Sequence, residues 1–307
     1  MANTNPAYEP TDMMDRDSRS NRYYRNAVER HWDPGDIDLE ADRENLIAFA
    51  KSHEWFDYRT YCDLLNGVAL FGAGEDAVTE DLAPLATVTE NIDDQLFLTT
   101  QLYEEAKHAD FFDRWWREVA WAVEDELGWE RTNPRDDHWF GPNYLELFDR
   151  NRKAQYRLLE ENTPENRAKA HCHYHLTVEG IYGQTGYYAM QNSYGGDFDD
   201  LPHLPGLVEG FDYIRSDEGR HVGFGMSQLK KLVASGDVEM ELIDDTVSEL
   251  MSLLITEDEE ESELDDRGIQ EDELIDYAWS KHSDRMSQIA NASEDIPDVE
   301  ELVALDG

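Results

Sequence analysis

Residues 97–116 read FLTTQLYEEAKHADFFDRWW, and within them Glu105-Ala106-Lys107-His108 sets a Glu and a His three positions apart. In an α-helix such a pair lies on nearly one face, about 4.5 Å apart along the axis, so both side chains can reach one metal ion. Leu98, Leu102, Glu105, His108, Phe112 and Trp116 recur at helical spacing, which puts both polar residues on the core-facing stripe. A carboxylate among apolar neighbours is costly unless it is paired or metal-bound. Glu104, one position back, falls off that stripe and is expected to face solvent.

A second pair, Glu218-Gly219-Arg220-His221, lies between FDYIRSD and VGFGMSQL, with Ile214, Phe224 and Gly225 on or beside its stripe. The spacing alone is weak, because a chain this rich in Glu should show about one Glu-x-x-His by chance. The surroundings carry the weight. Glu75 sits in ALFGAGEDAVTEDLAPL, with Phe71, Gly72, Val78 and Leu82 on its side one or two turns away. Glu179 is the one charged residue of HLTVEGIYGQTGYYAM. Two Glu-x-x-His pairs plus a carboxylate from each of two other helices form the ligand set of a dinuclear carboxylate centre in a four-helix bundle. The competing reading is a set of buried polar pairs that satisfy one another.

Composition frames this site. The 307 residues include 26 Lys+Arg against 70 Asp+Glu, a formal net charge of −44. Repulsion of that size destabilises a compact state in dilute buffer and is tolerable where salt screens it, so the chain reads as halophilic, adapted to a salty cytoplasm. Such a surface would repel nucleic acid. Cys62 and Cys172 are too few for a disulfide framework and lack paired spacing for zinc. No uncharged run reaches membrane-spanning length and no signal-peptide pattern opens the chain, so a cytoplasmic protein is expected.

Helical periodicity runs through almost the whole chain, at roughly 18–31, 40–51, 54–89, 92–125, 143–160, 165–192, 205–235, 239–256 and 266–291. Strand-like alternation is absent. The expected organisation is a polar arm and short helix at 1–30, one all-α domain at 31–291 with a dinuclear centre inside a four-helix core, and a solvated acidic tail at 292–307. TEDEEESELDD (256–266) reads as an acidic connector.

Together, GAGEDAVTEDLAPL, FLTTQLYEEAKHADFF, YHLTVEGIYGQTGYY and IRSDEGRHVGFG resemble the ribonucleotide reductase small-subunit superfamily, and more closely its ligand-binding oxidase branch. HWDPGDIDL is also similar to that branch's start, and the resemblance spans roughly residues 31–290. It implies a ferritin-like bundle with a manganese–iron or di-iron centre that activates dioxygen, a bound long-chain fatty-acid-like ligand, and a homodimer. On that match Glu75, Glu105 and His108 hold one metal, Glu179, Glu218 and His221 the other, with Glu105 bridging. Four carboxylates and two imidazoles suit manganese and iron.

The same resemblance implies an ether cross-link between a valine three residues after the first Glu and a tyrosine five residues before the third, here Val78 and Tyr174. On an α-helix Tyr174 would lie about 140° around from Glu179, beside the site. Asp217 resembles the superfamily's acid that orients a metal-bound His through its other ring nitrogen. His171, His173 and His175 are split over the helix surface by their alternate spacing; His175, one turn before Glu179, is the member placed to support the site. The aromatic-rich 111–121 stretch reads as core. Two alternatives stand beside the oxidase. A radical-generating reductase subunit would usually carry a tyrosine where this chain has Phe112, and no aromatic follows Trp279. The other is a non-catalytic ferritin-like metal-binding protein.

Overall fold

The break points of the helices follow from local chemistry. In the computed structural model, which describes residues 13–253, 264, 267–291 and 295–302, no strand occurs among the described residues. Helix α1 spans Arg19–Glu29 and α2 Glu40–Ser52. The expected helix at 54–89 divides into α3 (Tyr58–Asp81) and α4 (Ala83–Val88). Pro84 lies in the first turn of α4, where its missing N–H costs nothing; inside one continuous helix it would break the ladder. Helix α5 spans Ile92–Trp115 and passes through a π-turn, Trp116–Ala120, into α6 (Trp121–Leu127). Gly128 ends α6 at φ 71°, in the left-handed region that favours glycine.

Helices α7 (Pro142–Glu160) and α8 (Pro164–His171) follow. The run expected as one helix at 165–192 is interrupted by a π-helix over Cys172–Gly183 before α9 (Gln184–Tyr194). The long α10 (Pro205–Ser235), α11 (Met240–Met251), α12 (Glu271–Ala290) and short α13 (Val299–Leu302) complete the described chain.

Helices α3, α5, the π-helix and α10 form the central bundle, with α3 against α5 and the π-helix against α10. Helix α10 has no side-chain cap of its own. Asp42 of α2 supplies one: its carboxylate accepts from Gly206 N and Leu207 N, both at 2.7 Å, and from Trp115 Nε1 at 2.9 Å. One buried acid thus satisfies orphan donors of α10 and ties α2 to α5. Phe71, Phe111, Phe112, Phe211 and Tyr187 pack as a chain of ring contacts on one side of the bundle, and the expected core role of the 111–121 aromatics is seen in buried Phe111, Phe112, Trp115 and Trp116.

The short helix expected within 1–30 is α1, and the described part of 292–307 carries buried residues where a solvated tail was expected. Helix α1 packs on α5, with the Tyr23 and Phe97 rings 5.7 Å apart. In the described part of 292–307, Ile296, Val299 and Leu302 are buried and α13 packs on α10. Three apolar residues at three-residue spacing make one stripe, and burying it outweighs the acids between them. Residues 1–12 of the arm, and the acidic connector apart from Leu264, lie outside the described residues. No helix among the described residues is long and apolar enough to cross a membrane.

Candidate metal centre

The central bundle brings six side chains from four segments to one point: Glu75 from α3, Glu105 and His108 from α5, Glu179 from the π-helix, Glu218 and His221 from α10. All six are buried. Glu75, Glu105, His108 and Glu218 form one group of potential donor atoms within 4.8 Å of one another; Glu105, Glu179, Glu218 and His221 form a second. Glu105 and Glu218 belong to both groups; the resemblance implied a place between the two metals for Glu105 alone.

Both imidazoles turn Nδ1 inward. His108 Nδ1 lies 3.5 Å from Glu75 Oε2, 3.5 Å from Glu105 Oε2 and 3.4 Å from Glu218 Oε1. His221 Nδ1 lies 3.1 Å from Glu105 Oε1, 3.3 Å from Glu179 Oε1 and 3.2 Å from Glu218 Oε2. Their outward Nε2 atoms meet carboxylates. Asp217 Oδ2 lies 3.1 Å from His108 Nε2, which gives Asp217 the position expected of an orienting acid. Glu104 Oε2 lies 2.9 Å from His221 Nε2.

Glu104 corrects the sequence reading, because it is buried and does not face solvent. Its signal was present as an internal repeat. Glu104-Glu105-Ala106-Lys107-His108 and Asp217-Glu218-Gly219-Arg220-His221 share the order acid, Glu, small residue, base, His. In the fold the acids cross over: Glu104 reaches the second motif's His, Asp217 the first motif's. The bases follow them. Lys107 Nζ lies 2.8 Å from Asp217 Oδ2, and Arg220 Nη2 donates to both Glu104 and Asp217. Trp32 Nε1 donates to Asp217 Oδ2 at 2.9 Å. This outer ring holds two acids and two bases and is formally neutral.

The inner ring is not. Four buried carboxylates carry a formal charge of −4 that two divalent cations would match with both imidazoles neutral. In the ion-free protein the strain shows in the proton affinities. Burial pushes Glu75 up to about 8 and raises Glu179 and Glu218. Burial also opposes charge on His108 and His221, but the facing carboxylates outweigh it and raise both. Glu105 is the exception: His221 and His108 overcome its burial and hold it well below the usual carboxylate range. His108 Nδ1 and Glu179 Oε2 are buried without a hydrogen-bond partner. Inward orphan donors, charge deficit and ligand chemistry all fit two divalent metal ions.

Local backbone explains the remaining geometry. In the π-helix hydrogen bonds run i→i+5, so residues five apart stack in succession. Tyr174 therefore turns toward the site instead of lying 140° away, and its hydroxyl donates to Glu105 Oε1 at 2.6 Å. Arg285 of α12, itself buried, donates to the carbonyl of Gly180 beside Glu179 and to Leu302 O at 3.4 Å. A Cβ on Gly180 would stand 2.7 Å from His175 O and 3.2 Å from Arg285 Nη1, so only glycine fits there. Val78 and Tyr174 are buried in one apolar cluster with Phe97, Leu98 and Phe224. Val78 also lines a mainly apolar pocket with Leu70, Phe71, Phe148, Val178 and Tyr182 that opens onto Glu75, Glu105, Glu179 and Glu218. Of the three clustered histidines, His171 and His175 are buried and mutually bonded, and His173 is only partly buried.

No family model matches the chain. Among solved structures it is similar to a valine-to-leucine variant of an R2-like ligand-binding oxidase with anaerobically reconstituted Mn/Fe cofactor: 28% identity over 91% of this chain and 96% of that one, TM-score 0.75. A glycine-to-leucine variant with a non-activated Mn/Mn cofactor gives 28% identity, 90% and 95% coverage, and TM-score 0.75. The R2-like ligand-binding oxidase from Sulfolobus acidocaldarius shares the fold at 24% identity, covering 95% and 96%, TM-score 0.72. The all-α, ferritin-like architecture is that of these oxidases.

Proposed function

We propose that this chain is a dioxygen-activating oxidase of the R2-like ligand-binding kind, holding manganese and iron, or two irons, on Glu75, Glu105, His108, Glu179, Glu218 and His221. The observation that carries the reading is the pair of overlapping four-donor groups sharing Glu105 and Glu218. When bound, such a pair supplies the means of drawing two electrons from a substrate into dioxygen. The chain's own residues set the direction. Asp217 and Glu104 fix the two imidazoles with Nδ1 inward, and the neutral outer ring leaves the inner carboxylates to the ions. The small apolar pocket beside Val78 adjoins the carboxylate cluster, which supports placing the fatty-acid-like ligand there.

Within the site, Val78 and Tyr174 form an ether bond. The valine loses a C–H hydrogen, the tyrosine loses its hydroxyl hydrogen, a C–O bond joins them, and two electrons and two protons pass to dioxygen. Glu105 already accepts the hydroxyl hydrogen of Tyr174, which aims the phenol at the carboxylate cluster. Phe112, packed between Phe71 and Phe111, offers no phenol for the radical-generating alternative. Aerobic reconstitution with manganese and iron should lower the intact mass by two hydrogens and give a joined peptide pair carrying Val78 and Tyr174. Tyr174→Phe should keep both metals and lose the link. Separate peptides from the fully loaded aerobic protein would refute the cross-linking oxidase.

A further inference from the structure

Behind Tyr174 the structure places a directed chain of hydrogen bonds with no counterpart at Val78. Gln101 of α5 is fully buried, and its Nε2 donates to the Tyr174 hydroxyl oxygen at 3.3 Å and to Glu179 Oε1 at 3.1 Å. Its Oε1 lies 3.4 Å from His175 Nε2, and His175 Nδ1 lies 3.2 Å from His171 Nδ1.

The donors can be assigned by elimination. An amide nitrogen spent on a phenol oxygen and a carboxylate leaves the amide oxygen facing His175, which must then carry its hydrogen on Nε2. His175 Nδ1 is consequently an acceptor, and His171 Nδ1 carries the hydrogen between them. Burial holds both imidazoles neutral, His171 at about 3 and His175 well below its ordinary value, so one N–H on each ring is what the chain requires. Turning the amide over would aim its oxygen at the Glu179 carboxylate. His175 cannot move to accommodate that, because it is wedged against α10, where a Cβ on Gly225 would stand 2.2 Å from the His175 Cβ.

We propose that Gln101 is the positioning residue for the Tyr174 phenol oxygen, and that His175 keeps it in that role by fixing its amide in one orientation. The inference rests on the reading of Tyr174 as the ether-forming phenol and goes beyond it. The phenol oxygen gives its hydrogen to Glu105 and receives one from Gln101. The amide N–H on the oxygen holds the rotation of the hydroxyl, so that its hydrogen stays aimed at Glu105. Glu179 is anchored by the same NH2 group, so phenol and carboxylate move as one unit. An amide does not hand a proton onward, so the chain positions and does not conduct.

Two measurements test this. The first uses metal-free protein and the ultraviolet resonance Raman doublet of Tyr174, isolated by subtracting the Tyr174→Phe spectrum. Gln101→Leu and His175→Phe should both shift the intensity ratio toward that of a phenol that only donates. His175→Gln, whose amide can donate to Gln101, should restore the original ratio. An unchanged doublet in Gln101→Leu overturns the proposal. The second uses aerobically reconstituted protein. At metal concentrations that fill both sites, Gln101→Leu should form the ether bond at least about tenfold more slowly. Formation at the original rate in the fully loaded variant overturns the positioning role. If the unmodified protein forms no ether bond, the oxidase reading fails, while the Raman comparison still decides the role of Gln101.

Discussion

His221 Nε2 lies 2.9 Å from Glu104 Oε2, while His108 Nε2 lies 3.1 Å from Asp217 Oδ2: each imidazole is held by the acid of the other helix's motif. Glu104→Ala should therefore weaken the ion at His221 by about 10–100-fold and largely spare the one at His108, and Asp217→Ala should do the reverse. Metal titration with separate readout of the two ions checks this; equal losses at both positions would contradict the crossed arrangement.

Glu105 belongs to both donor groups and His221 to one. His221→Ala is expected to lose one ion and Glu105→Ala to impair both, each retaining a helical far-ultraviolet spectrum. Metal content per chain is the measurement, and full occupancy in either variant would remove that residue from the ligand set.

Arg285 supplies a hydrogen-bond donor to the Gly180 carbonyl. Arg285→Met leaves that carbonyl buried without it, at a cost of about 1–3 kcal/mol. A lower Tm is expected together with a selective loss of the ion that needs Glu179. A lower Tm with both ions retained would mean that Arg285 supports the fold alone.

The ion-free protein should lose stability as pH rises. Glu75, ordinarily at 4.5, sits at about 8 in the fold because burial disfavours its charge. A raised folded value means the folded state holds the proton more tightly, so its contribution is full below 4.5 and is lost as pH climbs to about 8. His108 and His221, also raised, act in the same direction. Glu105 and Asp217 are lowered, so their contribution disappears at the acid end instead. Metal binding displaces these protons, and apparent affinity should increase with pH across the same window. Calorimetric scans of metal-free and metal-loaded protein between those limits give the slopes, and a flat metal-free profile would count against the buried charge deficit.

A net charge of −44 should make the fold salt-dependent. Raising KCl from about 0.1 M to about 1 M shortens the screening length from about 10 Å to about 3 Å. The Tm is expected to rise over that range, and more for this chain than for a version with surface Asp and Glu changed to Asn and Gln.

The six clustered side chains were legible because each acid or imidazole stood on an apolar stripe or alone in an uncharged run, an energetic contradiction that a bound metal would resolve. Glu104 was missed for the opposite reason. The stripe argument assumes a helix with one wet face, but α5 is contacted by α1, α3, α4 and α10. A central helix buried on most of its circumference hides functional acids on faces that periodicity assigns to solvent. Gln101, buried beside Tyr174, was lost to the same assumption. The π-helix Cys172–Gly183 escaped because a tertiary partner, Arg285 at the Gly180 carbonyl, acts on it from a distant part of the chain.

A π-turn accommodates one residue more than an α-turn. The segment Cys172–Gly183 can therefore be described as a helix bearing a retained insertion. Excising one residue between Tyr174 and Glu179 would let the segment relax to ordinary winding, a change most helices resist but this one could absorb. The phenol and the carboxylate would then lose their common register, and the protein would remain folded with its chemistry out of phase.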